Sequence, residues 1–428
     1  MSTQGQQADP PGGGHAYYAL AGLFVVLTFS VLDRNILSIL LVDIKNELQV
    51  SDGQMGFLAG TAFAVSNAIA GIPLARLADR RSRRTIVAVG IGAWSLLTAG
   101  QGLARSFWLL ALARVGVGIG EASTGPAAHS MLSDYFRPDR RATAISVYTM
   151  GGHLGILLGL VAGGWLSDEF GWRTTFVIVG LPGLLIALLF GFTVREPARG
   201  QSEARAVDEP QEHWIAVVRY LWSQPTFRHL SIAAPLFISA FYCINIWGPA
   251  LLIRVHGMTN AEAGVRLGPV LGIGGALGTL IGGYACDRLG ALDIRNYLRL
   301  PAFAALGMIP FVGLFLLWPD GDVAVLFLAP TVFLAGTFIG PMYSVALGLA
   351  KLRMRAMASA MIHLLTSTVA AGLMPQLVGL ANDALTPRFG DDAVRYSLFL
   401  IVVTSAWGAL HAFLAAQTLR ADMARAAT

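Results

Sequence analysis

The sequence predicts an all-α membrane protein with twelve transmembrane helices in two six-helix bundles. Three observations carry that prediction. First, 55% of the 428 residues are hydrophobic and only 13% are charged, against about 25% charged in a soluble domain. Second, apolar runs long enough for a bilayer core, about 20 residues each, recur at 16–42, 54–76, 85–104, 107–132, 143–167, 174–194, 229–253, 261–286, 297–318, 323–350, 356–381 and 395–418. Third, landmarks repeat at a nearly constant offset. Asp79-Arg80 and Asp287-Arg288 follow the second and eighth runs, 208 residues apart. Arg141 and Arg355 open the fifth and eleventh, 214 apart, and Gly164-x-x-x-Asp168 and Gly379-x-x-x-Asp383 close them, 215 apart. This marks a duplication. The alternating ten-residue segments of an outer-membrane barrel are absent.

Taken in chain order, residues 1–15 are polar and rich in Gly and Pro, and read as a disordered tail. No basic region with a small-residue cleavage site precedes the first run, so a cleaved signal peptide is not expected. The N-terminal bundle spans 16–194. A polar linker, 195–227, divides the chain. Within it Trp214, Val217, Val218, Leu221 and Trp222 recur at helical spacing, which predicts an amphipathic helix on the membrane face. The C-terminal bundle spans 228–419, and 420–428 is a short tail. With both termini in the cytoplasm, 21 of the 30 Lys and Arg residues fall on the cytoplasmic side and 7 on the other. That threefold excess fixes the orientation. The net charge of +5 therefore follows topology and implies no nucleic-acid partner. Cys243 and Cys286 fall inside runs and read as apolar filler.

Two acids and two arginines interrupt the apolar runs. Asp33 and Arg34 lie in the first, Arg114 and Glu121 in the fourth. A charge at mid-helix costs at least about 2.5–3.5 kcal/mol, and such residues mark ion or proton pathways. Burial raises a carboxylate pKa and a nearby arginine lowers it, so moving the arginine would switch protonation. Seven residues is nearly two turns, so Arg114 and Glu121 share a face about 10 Å apart. Asp33 and Arg34 are about 100° apart and point in different directions. A static network pinning helices together is the plainer alternative. The second half offers Leu328, Ala335, Tyr242 and Asn245 at the matching positions, so the titrating groups belong to the first half. Parallel six-helix repeats predict a substrate site near the midplane and alternating access.

Arg76-Leu-Ala-Asp79-Arg80-Arg-Ser82-Arg83-Arg84 and Gly283-Tyr-Ala-Cys-Asp287-Arg288-Leu-Gly290 resemble the loop motif of the major facilitator superfamily. Aspartates set among arginines at repeat-related helix ends suggest gating ion pairs rather than topological decoration alone. Leu32-Asp33-Arg34-Asn35, Val117-Gly118-Ile119-Gly120-Glu121-Ala122-Ser123 and Ser133-Asp134-Tyr135-Phe136 further resemble the spinster family. That resemblance implies a bacterial inner-membrane carrier of sphingolipid- or lysophospholipid-like substrates. On this reading Asp33 and Glu121 carry protons, and Arg34 and Arg114 contact substrate or form charge pairs. Asp79, Arg80, Arg83, Arg84, Asp287 and Arg288 act in gating.

Other motifs carry little chemistry. Gly272-x-Gly274-x-x-x-Gly278 lies inside a run with no preceding strand, so close helix packing explains it better than a dinucleotide loop. His129, His153 and His363 lack metal-ligand spacing. No HExxH, Walker loop or GxSxG is present, which gives an enzyme no support. The expectation is a monomeric, proton-coupled secondary transporter of an amphipathic, lipid-like anion, with no cofactor beyond the coupling proton. A carrier of small organic anions or drugs is the alternative substrate reading, and a receptor or membrane enzyme the alternative class.

Overall fold

Helix is the only regular structure among the described residues of the computed structural model, which are 13–199, 213–351 and 354–426. Residues 1–12 of the tail and 200–212 of the polar linker lie outside them. Four spans are Gly14–Ile39, Arg83–Gln101, Pro225–His256 and Asn296–Leu317. Asp52–Ala78, Asn260–Leu292 and Gly321–Gly348 are continuous apolar stretches built from shorter helical pieces. Phe107–Glu121 continues as Thr124–Tyr135. Arg355–Leu365 runs through Thr366–Leu373 into Met374–Phe389, and Leu400–Ala426 is last.

The helical stretch Pro138–Thr193 has 56 residues, about 84 Å if straight, far more than one crossing needs. Gly171, at φ 74 and ψ 161, breaks it. Such a backbone is open to glycine because no Cβ meets the carbonyl. The chain then reverses: Gly151 packs on Phe24, and Phe190, on the returning limb, packs on Gly22. The stretch is thus two spans, and the total among the described residues is twelve.

By contact the chain forms two compact units. One takes the described parts of Met1–Asp33, Ser66–Gly155 and Arg173–Glu209; the other takes Arg34–Val65, Ile156–Trp172 and Pro210–Thr428. This grouping cuts across the bundles because the ends of three N-terminal spans pack with C-terminal helices. In the first unit, Gly90 lies against Ser123 and Gly180 against Ser95 and Ala99. Without a hydrophobic force between helices in lipid, such close approach of small residues is what holds spans together. In the second unit, the Phe237 and Phe338 rings pack at a tilt, 4.2 Å between centroids, in a buried cluster with Met342, Ala412 and Leu419. Helix Trp214–Ser223 sends Val217 and Leu221 into that cluster, while Trp214 and Trp222 stay exposed.

Among the described residues, three spans contain wide turns with hydrogen bonds five residues back, at Phe57–Thr61, Val270–Gly274 and Thr366–Leu373. Two of them meet: Thr61 Oγ1 donates to Gly372 O at 3.1 Å. Wide turns of this kind loosen the ladder and concentrate at functional positions.

Candidate functional site

The first unit holds both acids that interrupt the apolar runs. Asp33 and Glu121 are almost wholly shielded, as is Arg114. Glu121 Oε2 accepts a hydrogen bond from Ser30 Oγ at 2.6 Å, and Asp33 Oδ2 accepts one from Thr98 Oγ1 at 2.6 Å. Ser30 and Asp33 are three residues apart, hence on one face of the first span. That face therefore presents a carboxylate toward the third span and a hydroxyl toward the fourth. A hydroxyl donates to a carboxylate and accepts from a carboxylic acid, so each contact survives gain or loss of the proton. The buried face of the fourth span reads Phe107, Leu110, Ala111, Arg114, Val117, Gly118 and Glu121. Arg114 and Glu121 thus share it, two turns apart. Asn67 Nδ2 donates to Gly118 O at 3.0 Å and ties the second span to this helix just before Glu121.

The second unit holds Arg34, whose guanidinium lies 5.1 Å above the Phe63 ring. A cation over an aromatic face gains from the ring quadrupole. Next in sequence, the buried Asn35 Oδ1 accepts from Asn245 Nδ2 at 2.8 Å. His363 lies within electrostatic reach of Arg34. Residue spacing offers His363 no partner; its proximity to Arg34 comes only with the folded eleventh span.

The loop after the second span is a separate charged centre in the first unit. Arg83 is fully buried and pairs with Asp134 through Nη1. It also donates to Ser130 Oγ at 2.9 Å, Glu196 Oε1 at 2.8 Å and Pro197 O at 2.7 Å. Glu196 Oε2 accepts from Ser82 Oγ at 2.9 Å and from the Arg84 N–H at 2.8 Å. Arg199 reaches back to Ala78 O and Arg81 O, and the Tyr135 hydroxyl donates to Arg195 O. The start of the linker is thereby clamped onto the loop. Burial disfavours charge on Glu196, but the Arg84 amide, Arg83 and Ser82 outweigh it and hold its pKa below the usual value. Burial likewise opposes the charge on Arg83, and the bonds to Asp134 and Glu196 compensate it.

Arg80 is exposed, and the Asp79 side chain lies outside the described residues. At the repeat-related loop Asp287 accepts from the Tyr297 hydroxyl at 2.8 Å, and Arg288 sits 5.3 Å over Tyr284. Position 291, 208 beyond Arg83, is alanine, so the second loop has no buried arginine at that place. Glu196 is not legible as a partner in the sequence because the linker composition reads as solvated.

An apolar groove of about 590 Å³ in the first unit runs past Leu74, Ile86, Val89 and Ile119 to Arg81. Asp33, Arg114 and Glu121 do not line it. Among the described residues, no group of three or more His, Cys, Asp or Glu side chains could hold a metal ion.

The family model of the Major Facilitator Superfamily matches residues 23–375. An MFS-type efflux pump of Mycolicibacterium smegmatis is 34% identical over 418 residues, covering 97% of this chain and 96% of its own. Protein spinster homolog 1 of Rattus norvegicus is 27% identical, over 92% of this chain and 79% of its own. Among solved structures, a bacterial homolog of the human lysosomal transporter Spinster, in an inward-facing and unoccupied conformation, superposes with a TM-score of 0.86. It is 29% identical and covers 96% of this chain and 99% of its own. The same homolog in an inward-facing and occupied conformation gives 0.84.

Proposed function

Because the chain belongs to the Major Facilitator Superfamily and is homologous to the spinster transporters, we propose that it is a proton-coupled carrier of an amphipathic, lipid-like anion. It is a membrane transporter, not an enzyme. One observation supports proton coupling above the rest: two carboxylates are buried in spans, each bonded to a hydroxyl that tolerates both protonation states. Asp33 and Glu121 load and release the proton. Arg114, buried on the face of Glu121, supplies the positive charge that a conformational change brings nearer or withdraws.

Arg34 offers its guanidinium to an anionic headgroup, through charge-assisted hydrogen bonds of the kind arginine makes to phosphate. Arg80, Arg83, Arg84, Asp287 and Arg288, with Asp79, form the cytoplasmic gating groups. Both termini face the cytoplasm, the membrane is a bacterial inner membrane, and the working unit is a monomer. The coupling ion is the only cofactor.

The direct experiment is uptake of a lysophospholipid such as lysophosphatidylglycerol into proteoliposomes, with and without an imposed pH gradient. Gradient-dependent uptake supports the proposal, and uptake indifferent to the gradient refutes the coupling. The 34% identical relative is described as an efflux pump, and export of a small organic anion or drug is the second substrate reading. Competition of such compounds against lysophospholipid in the same vesicles separates the two.

A further inference from the structure

The repeated Gly-x-x-x-Asp segments have a structural counterpart that the proton site does not use. It lies where the second and eighth spans begin, entirely within the second contact unit. Asp383 Oδ1 and Oδ2 accept from the backbone N–H groups of Asp52 and Gly53 at 2.8 and 2.7 Å. Asp168 Oδ1 and Oδ2 accept from those of Asn260 and Ala261 at 3.2 and 2.9 Å. In both cases these are the first two amides of a helix. The third amide is taken by the helix's own cap, Ser51 for Gln54 and Thr259 for Glu262, each in a reciprocal capping box.

The first amides of a helix have no partner within it and carry the positive end of its dipole. Here two are satisfied by a carboxylate from another span, one at each of two positions related by the duplication.

The glycines complete each contact. A Cβ at Gly379 would collide with Asp52 O, and one at Gly164 with Asn260 O. One turn on, a Cβ at Gly56 would meet Pro375 O and one at Gly264 would meet Leu160 O. Residues 52 and 260, and 56 and 264, are 208 apart; residues 164 and 379, and 160 and 375, are 215 apart. The second span on the eleventh and the fifth on the eighth are therefore one interface made twice. In each, backbone touches backbone and the aspartate lies at the open end.

We propose that Asp168 and Asp383 are positioning residues that latch these two helix pairs shut. Each carboxylate holds the partner helix by its N-terminus and lets go when the pair parts. Ser51 and Thr259 then keep the freed helix ends capped, so release leaves one amide bonded without help from the other span. The device rests on the alternating-access reading above, on whose topology it forms the outer gate.

The test places a reporter cysteine at Met55 or Ala263, each fully buried one turn below its cap, in a background carrying Cys243→Ala and Cys286→Ala. Labelling by a membrane-impermeant maleimide is followed in proteoliposomes. Asp383→Asn should speed labelling at position 55, and Asp168→Asn at 263, on the order of tenfold. Gly379→Ala and Gly164→Ala should do the same by wedging the pairs apart, and Asp→Glu variants should restore part of the protection. Ser51→Ala and Thr259→Ala should lower thermal stability without speeding labelling. Unchanged labelling in the aspartate variants, or equal acceleration in the cap variants, overturns the latch. Lysophosphatidylglycerol uptake is measured on the parent protein in parallel. Its failure would count against the substrate and leave the latch result standing.

Discussion

Asn35 and Asn245 hydrogen-bond to each other at 2.8 Å although 210 residues separate them. The separation falls within the 208–215 offset of the duplication, so the first and seventh spans meet through equivalent residues. Both side chains are buried. An amide stripped of its partner there should lose about 1–3 kcal/mol. Asn245→Leu should therefore lower the thermal unfolding midpoint, and adding Asn35→Leu should recover part of the loss. Additive losses in a double-mutant cycle would show that the bond contributes nothing.

The linker clamp should respond to acid. Glu196 has a pKa held below that of an ordinary glutamate, so its contribution is complete above the unfolded value, about 4.3. It is lost as pH falls through the lower folded value. Amide exchange of residues 194–199, corrected for intrinsic rates, should thus increase on acidification below about pH 4 and stay flat from neutrality to that point. Glu196→Gln should show the open behaviour at pH 7. Arg83→Ala, which leaves Asp134 and Glu196 without their shared cation, should destabilise the unit by about 3–5 kcal/mol.

Substrate binding should discriminate by tail length. Each buried methylene contributes about 0.8 kcal/mol, so affinity within a lysophospholipid series of fixed headgroup should climb until the cavity is filled. Arg34→Ala should weaken the whole series by a similar factor and leave its slope unchanged. A flat series rejects the lipid substrate, and an unaffected Arg34→Ala protein rejects the headgroup assignment.

At the loop between the eighth and ninth spans, Asp287 is tied to Tyr297 and Arg288 rests on Tyr284. Asp287→Ala should change the balance of cysteine accessibility between the two membrane faces more than it changes substrate affinity. The same holds for Asp79→Ala. Unaltered accessibility in both would remove the loops from the gate.

Much of this architecture is legible in the amino-acid sequence. Long apolar runs mark the spans, and a carboxylate inside one is conspicuous, so Asp33 and Glu121 stand out. Their hydroxyl partners do not. Serine and threonine are ordinary in membrane helices, and only the packing of the first span against the third and fourth singles out Ser30 and Thr98. The Gly-x-x-x-Asp repeat is visible as a pattern but mute as chemistry, because its partners are backbone amides some 90 and 330 residues away in sequence. Periodicity also compresses two neighbours into one stripe on helix Trp214–Ser223. Val217 and Leu221 face the protein and Trp214 and Trp222 do not, a distinction that spacing alone does not make.

The central claim is that Glu121, coupled to Asp33, carries the proton that drives transport. The most direct measurement is lumenal pH, read by a trapped dye, while lysophosphatidylglycerol is added to proteoliposomes of the parent protein, Glu121→Gln, Asp33→Asn and the double variant. The parent should move protons with substrate. Glu121→Gln, isosteric and permanently neutral, should remain folded and move none, and the double variant should lose no more than the worse single one. Substrate-linked proton movement persisting in Glu121→Gln would contradict the account.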